Sequence, residues 1–195
     1  MSVDMEQIKQ LRDRTGVSVM QCKKALEEAG GDEGKALVLL QKQSSAIASK
    51  KADRTLGAGT VAAYIHAGGS VGAMVALSCE TDFVGKNEDF KKLAYDIAMH
   101  IAAADPKFLS KDDVTEEEKE KVRAAFEKEV SESDKPDDIK EKILGGKVDA
   151  YFSEKSLLSQ PFIKNPDLTI GALIEGGIQK FGEKIAITDF ARFSV

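Results

Sequence analysis

The sequence predicts an α+β fold: a small three-helix bundle followed by a two-layer core of antiparallel strands packed with helices. Apolar residues recur at helical spacing through residues 1–43, and short polar or glycine-containing breaks separate the segments. From Gly59 the pattern changes to apolar, β-prone runs, with helical segments before a final strand. Strands of one sheet with helices on one face form an α+β architecture. The predicted domains are an N-terminal module at 1–43, a linker at 44–57 and an α+β core at 58–195.

The N-terminal module is predicted to contain three short helices with short connections. Ser18 begins the second helix and Gln21 follows three residues later, which is a capping-box pattern. Gly30 and Gly31 end that helix, because glycine adopts the left-handed conformation of a C-cap. Asp32 is the predicted N-cap of the third helix. The predicted inward-facing residues are Met5, Ile8 and Leu11, then Val19, Cys22 and Leu26, then Ala36, Leu37 and Leu40.

The segment that follows the module is polar and basic, with Lys50, Lys51 and Arg54 among its residues. We interpret it as a solvated linker or a frayed helix end. A basic RNA-contacting patch is the alternative, but the segment lacks the interleaved aromatic residues on which bases stack.

The core is predicted to open with a β-hairpin. The strands are 61–66 and 71–79, and Gly68 and Gly69 lie in the turn, where positive φ angles are needed. Thr115 and Glu118 form a second capping box at the start of a helix. The helices are predicted at 88–103, 115–130, 137–154 and 168–181, and the last strand at 185–195.

Composition narrows the class of protein. The chain has 195 residues and a net charge of −5, which disfavours direct nucleic-acid binding because that binding neutralises many phosphates. No apolar run approaches the ~20 residues of a membrane helix. The first ten residues are polar and acidic, unlike a signal peptide. Cys22 and Cys79 are too few for a disulfide framework, so we expect a reducing cytoplasm.

The segment 77–84 is the most informative stretch of the sequence. It begins as the end of an apolar strand and becomes a polar turn that places Asp82 beside Phe83. Asn87 follows as a predicted helix N-cap. Turns lie at the surface and often carry function, so Phe83 is a candidate for insertion into a partner. The alternative is that Phe83 folds back as a plug of its own loop.

No pattern in the sequence predicts a catalytic or metal site. The glycine-rich segments 57–59 and 68–72 lack the residues of a nucleotide phosphate loop. The Cys and His residues have no paired ligand spacing, so we expect no metal. Ser78, Asp82 and His66 could be combined into a triad, but no nucleophile-elbow sequence surrounds Ser78.

Several short blocks, spread over nearly the whole chain, carry a family resemblance. The element Thr81-Asp82-Phe83-Val84 is the most distinctive, and the remaining blocks are 11–16, 20–26, 99–103, 160–162 and 190–193. Their order along the chain matches that of translation elongation factor Ts, and we identify the resemblance on this order. The N-terminal bundle also resembles the ubiquitin-associated type of module found at the start of that family.

The resemblance implies a guanine-nucleotide exchange factor that promotes GDP release from elongation factor Tu, with no covalent chemistry and no cofactor. The element Thr81, Asp82, Phe83 and Val84 would contact the partner and dislocate its Mg²⁺. Phe83 would insert between helices of the GTPase domain, and Asp82 would disturb the Mg²⁺ coordination.

Further partner contacts are implied for Met20, Lys23 and His66. Met20 and Lys23 lie on the second helix, whose counterpart in the family faces the GTPase. His66 lies in a Tyr-x-His segment that resembles a contact segment of longer members. The residues alone favour a solvated lysine face, and for His66 the simple alternative is a solvated histidine at a strand end.

Longer family members have a duplicated core and a protruding coiled coil, and this sequence predicts neither. A single core copy implies that two chains pair, so we expect a homodimer through a dimerisation-type core. The alternative function is a non-catalytic adaptor that binds a protein partner through the N-terminal three-helix module.

Overall fold

The computed structural model describes residues 3–131 and 136–195, and it confirms the α+β class. None of the helices in these two ranges is long and apolar enough to cross a membrane. The helices are α1 Met5–Thr15, α2 Val19–Glu28, α3 Glu33–Lys50, α4 Asp82–Gly85, α5 Glu88–Ala104, α6 Glu116–Ser131, α7 Asp137–Lys155 and α8 Ile170–Phe181. The strands are β1 Ala58–Ile65, β2 Val71–Cys79, β3 Pro161–Phe162, β4 Asn165–Thr169 and β5 Ile185–Ser194.

The described residues form two compact units. One consists of the described residues of Met1–Ala103 together with Pro161–Val195, and the other of those of Ala104–Gln160. The boundaries of these two units therefore differ from those of the module, linker and core expected at 1–43, 44–57 and 58–195. That domain division stays a prediction.

Helices α2 and α3 begin at the caps that the sequence predicts, whereas the Asp4 cap of α1 was not predicted. The Ser18 side chain accepts the Gln21 backbone N–H, and the Asp32 carboxylate accepts the Lys35 N–H at 2.9 Å. Gly30 has the positive φ of a helix-ending glycine. Helix α3 continues through Lys50, into the segment predicted as a linker. The module core consists of Ile8, Leu11, Val17, Cys22, Ala25, Leu26, Ala36 and Leu40.

Two residues expected in that core lie outside it. Met5 is 71% exposed and Val19 is 47% exposed, so their placement on the inward faces was wrong. Both stand at the first position of a helix, where a side chain can satisfy the helical period and still extend beyond the packed layer.

The main sheet is antiparallel with the order β1-β2-β5. Its buried face carries Val75 and Leu77 of β2, and helices α5 and α8 lie against this face. Phe90 of α5 packs edge-on against Phe181 of α8 with 5.8 Å between ring centroids. The opposite face of the sheet exposes apolar side chains, namely Val61, Ile65, Met74 and Phe193.

The second unit is built around α6 and α7. The Lys140 ammonium donates to the Ser131 carbonyl, and Phe126 packs against Tyr151 farther along α7. The two helices are therefore antiparallel, since the end of α6 meets the start of α7. Thr115 and Glu118 form the predicted capping box. The sequence predicts both helices but not their pairing with each other. That the chain has no coiled coil stays a prediction.

Candidate partner-binding turn

The Phe83 turn, residues 80–86, joins the end of β2 to α5. Thr81 is extended, and α4 then makes one helical turn in which the Gly85 N–H donates to the Thr81 carbonyl at 3.2 Å. Asn87 follows and accepts the Asp89 N–H through its side chain at 2.8 Å, which confirms the predicted cap. The chain thus leaves the sheet, makes a single tight turn and enters a long helix.

The turn presents Phe83 to solvent. The Phe83 side chain is 80% exposed, whereas its neighbour Val84 is buried at 4%. The alternative that Phe83 plugs its own loop is therefore wrong, because Val84 fills the inward position instead. A large aromatic exposed to this extent is a candidate contact for a partner.

Glycines allow α4 to lie directly on β1. A Cβ atom at Gly85 would stand 3.1 Å from the Gly59 carbonyl oxygen, and a Cβ at Gly59 would stand 2.5 Å from the Leu77 carbonyl oxygen. Backbone atoms cannot move aside as a flexible side chain does, so a side chain at Gly59 would force a backbone shift, and one at Gly85 would make a tight contact. This close packing fixes the base of the turn against the sheet.

Asp82 is exposed and paired within the turn. Its carboxylate accepts from the Lys86 ammonium at 2.5 Å, one helical turn away. The hydrogen bond from Lys86, followed by its positive charge, holds the Asp82 pKa below the ordinary value. Asp82 is therefore an anion at neutral pH, beside the exposed ring of Phe83.

Residues distant in sequence hold Glu80 and Thr81. The Thr81 N–H and hydroxyl both donate to the Glu183 carboxylate. The Glu80 carboxylate accepts the Lys184 N–H and the Arg54 guanidinium, and the Lys184 hydrogen bond is the main cause of a lowered Glu80 pKa. Sequence reasoning missed Glu183, Lys184 and Arg54, since no local pattern connects them with residues 80–81.

The other predicted contacts lie on separate elements. Met20 is 79% exposed on α2, and Lys23 on the same helix pairs with Glu27 at 3.8 Å. His66 follows β1, and its Nδ1 lies 3.1 Å from the Tyr64 hydroxyl. In the described residues, no hydrogen bond or ion pair joins Met20, Lys23 or His66 to the Phe83 turn. Their roles as partner contacts stay predictions.

The described part of the chain contains no group of three or more His, Cys, Asp or Glu side chains that could hold a metal ion. Cys22 and Cys79 are buried free thiols, and burial is the main cause that raises the pKa of each. A thiol whose pKa is raised stays protonated at neutral pH, and only the thiolate is a good nucleophile. Their environment is that of structural cysteines.

Comparison with known proteins supports the resemblance. The family model described as "Elongation factor TS" matches residues 39–195. The chain is 47% identical over 195 residues to elongation factor Ts of Koribacter versatilis, covering 100% of this chain and 89% of the relative. It is 46% identical over 193 residues to that of Carboxydothermus hydrogenoformans, covering 99% and 89%. It is 42% identical to that of Herpetosiphon aurantiacus, covering 100% and 98%.

Proposed function

This chain belongs to the elongation factor Ts family, a family of nucleotide exchange factors in translation elongation, and we propose that it releases GDP from elongation factor Tu by inserting Phe83. The observation that supports this proposal most directly is the 80% exposure of Phe83 on a turn whose base is packed against the sheet. The reaction makes and breaks no covalent bond in this chain. Phe83 and its neighbours act by changing the partner's affinity for nucleotide.

Each residue of the element has a distinct proposed role. Phe83 enters an apolar gap between helices of the GTPase and displaces them. Asp82 brings a negative charge towards the phosphates and their Mg²⁺, and loss of that cation removes much of the nucleotide's electrostatic stabilisation. Thr81 and Val84 hold the element in place, since Thr81 is bound to Glu183 and Val84 is buried.

On this scheme the GTPase has two ligands, GDP and the exchange factor, and each weakens the binding of the other. If the factor weakens GDP binding, GDP must weaken binding of the factor by the same ratio. A tight complex of the two proteins is thus taken apart again when nucleotide rebinds. The scheme requires only a large difference in how the factor contacts the nucleotide-free and nucleotide-bound states.

Release of fluorescent GDP from elongation factor Tu, with Mg²⁺ present, tests the proposal. We expect this protein to accelerate release and Phe83→Ala to lose most of that acceleration. Ile139→Ala on α7 is the matched control, because Ile139 is also an exposed apolar residue. Acceleration that Phe83→Ala leaves intact would place the exchange element elsewhere and refute the insertion mechanism.

We also propose that Met20, Lys23 and His66 contribute contacts that anchor the factor without driving release. Their substitution by Ala should raise the factor concentration needed for half-maximal exchange while the maximal rate stays unchanged. The adaptor alternative predicts that Phe83 is not needed for partner binding. An adaptor that works through the N-terminal module would bind its partner with Phe83→Ala as well as with the native chain.

The exposed face of the main sheet is the proposed surface for pairing with a second copy of this chain. Val61, Ile65, Met74 and Phe193 form an apolar patch there, and a twofold axis would cover it with an identical patch. Sedimentation equilibrium should give a dimer, and Phe193→Asp should shift it to monomer. A native chain that stays monomeric at micromolar concentration would refute this pairing.

We place this activity in the cytoplasm, where translation takes place, and propose no direct contact with nucleic acid. The net charge of −5 favours a protein partner, because phosphate binding depends on clustered cations.

A further inference from the structure

The loop after α8, residues 182–184, is bound reciprocally to the start of the Phe83 turn. The Glu183 carboxylate accepts the Thr81 N–H at 3.0 Å, and the Glu80 carboxylate accepts the Lys184 N–H. Glu80 and Thr81 of the turn are therefore hydrogen-bonded to Lys184 and Glu183 of the loop, respectively. We call this arrangement the 80–184 clamp, comprising Glu80, Thr81, Glu183 and Lys184.

Thr81 is held at each of its polar atoms. Its N–H and hydroxyl donate to the two oxygens of Glu183. Its carbonyl accepts the Gly85 N–H at 3.2 Å and the Cys79 thiol at 3.1 Å. The Thr81 hydroxyl donates to Glu183, and it makes no side-chain cap to α4, although Thr81 occupies the cap position. A threonine cap would be a local interaction, whereas this one depends on a distant residue.

The loop that carries Glu183 is itself fixed. Gly182 ends α8 in the left-handed conformation, and its carbonyl accepts from the Lys51 ammonium at 2.7 Å. The Lys184 ammonium reaches the carbonyls of Ala52 and Arg54 in the segment after α3. Glu183 thus stands on a loop tied to the end of α3, rather than on a free connection.

The exposed Phe83 depends on this support. A single helical turn is unstable by itself, since nucleation fixes several residues for one or two hydrogen bonds. The Phe83 ring is 80% exposed, so its direction is set mainly by the backbone at Thr81 and by the burial of Val84. A turn already held in one direction loses less conformational freedom on binding, which raises affinity.

We propose that Glu183 is a positioning residue for Phe83, which acts by fixing Thr81 so that the ring is presented in the orientation that inserts. This inference rests on the proposed exchange function. Loss of the Glu183 carboxylate leaves Phe83 exposed but leaves the turn free to sample other orientations. Only a fraction of molecules is then competent, and the apparent affinity falls by that fraction.

A double-mutant cycle between Glu183→Ala and Phe83→Ala tests the proposal. We expect Glu183→Ala to lower the second-order rate of GDP release about tenfold in the native background. In the Phe83→Ala background the same change should have almost no effect, because no ring remains to be positioned. A purely structural role would lower the rate equally in both backgrounds, and that result would overturn the proposal.

Two further variants separate positioning from loss of folding. Thr81→Val removes only the hydroxyl bonded to Glu183 and keeps the N–H, so we expect a smaller loss that also disappears without Phe83. Glu183→Gln keeps one acceptor oxygen and should recover part of the rate. Glu120→Ala on α6 removes an exposed glutamate outside the clamp and should leave the rate unchanged.

Hydrogen exchange of the free protein decides the matter without elongation factor Tu. Glu183→Ala should speed exchange of the Thr81 and Gly85 amides while the amides in the centre of β2 stay protected. If the native chain fails to release GDP, the proposed function fails, and this measurement alone tests the clamp. Unchanged protection at Thr81 and Gly85 would overturn it.

Discussion

The two ends of β2 are connected in different ways. Before Val71 the chain makes the Gly68-Gly69 turn, in which the His66 N–H donates to the Val71 carbonyl at 2.8 Å and the glycines take positive φ. After Cys79 the chain makes the Phe83 turn, whose start is bound to Glu183 and Lys184. The glycines give the first turn its conformation, and its Ser70 carbonyl also accepts the Val195 N–H at 3.0 Å. The second turn has no glycine at its start, which is held by the Glu183 carboxylate and the Lys184 N–H from a distant loop. The turn that presents Phe83, the residue proposed to insert into the partner, is thus held by contacts from a distant segment of the chain.

Gly59→Ala should have the largest effect of the changes compared here, because α4 of the Phe83 turn packs on the backbone of Gly59. The new Cβ would stand 2.5 Å from the Leu77 carbonyl oxygen, so the backbone must shift. We expect a loss of about 3 kcal/mol in the free energy of unfolding, measured by urea titration. Gly145→Ala in α7 is the control, since nothing lies within 4 Å of its new Cβ. A loss no larger than that of the control would contradict the close packing.

Phe83→Ala should show the next largest effect, on binding rather than on stability. Removal of an exposed anchor should weaken the complex with nucleotide-free elongation factor Tu by about 2 kcal/mol. His66→Ala, at the other turn, should weaken it by much less. Isothermal titration calorimetry measures the binding free energy of each variant. Equal losses would show that both turns contribute similarly to binding.

Gly69→Ala tests the Gly68-Gly69 turn. Gly69 has a φ of 73° and open space around its Cβ position, so the cost is conformational strain alone. We expect a loss of about 1 kcal/mol in the free energy of unfolding, with nucleotide exchange unaffected. Gly69→Asn should lose less, because asparagine tolerates the left-handed region. A change in the maximal exchange rate at saturating factor would mean that the two turns are coupled.

Acid should loosen the Phe83 turn before the Gly68-Gly69 turn. The Lys184 N–H and then Arg54 lower the Glu80 pKa, so this carboxylate stabilises the folded chain above its unfolded pKa. That contribution is lost as the pH falls through the lower, folded pKa, in a window below about pH 4.5. Residues 66–70 contain no carboxylate. Hydrogen exchange should therefore show the Lys184 amide losing protection in acid before the His66 amide does, and Glu80→Gln should remove that difference.

The same contrast explains what the sequence could predict. The caps at Ser18, Asp32, Asn87 and Thr115 were predicted and confirmed, because a cap depends on residues within one helical turn. The hairpin of β1 and β2 was predicted for the same reason, from its alternation of turn and strand residues.

The features that the sequence did not predict depend on residues that are distant along the chain. Helical spacing identified an apolar stripe but did not show that Met5 and Val19 extend beyond the packed layer, since burial depends on neighbouring helices. Nothing near Thr81 indicates a bond to Glu183, which stands 102 residues later in the chain. Phe83 was found through the motif that contains it, whereas the residues that hold its turn were visible only in three dimensions.

The late position of Glu183 also affects how the protein is made. The β1-β2 hairpin can form soon after Cys79 leaves the ribosome, because its contacts are local. The Phe83 turn must wait for a residue 102 positions later, and at about 5–20 residues per second this delay lasts about 5–20 s. During that interval the nascent chain carries the ring of Phe83 without the clamp that directs it. The competent form of the turn is therefore completed only after Glu183 has been synthesised.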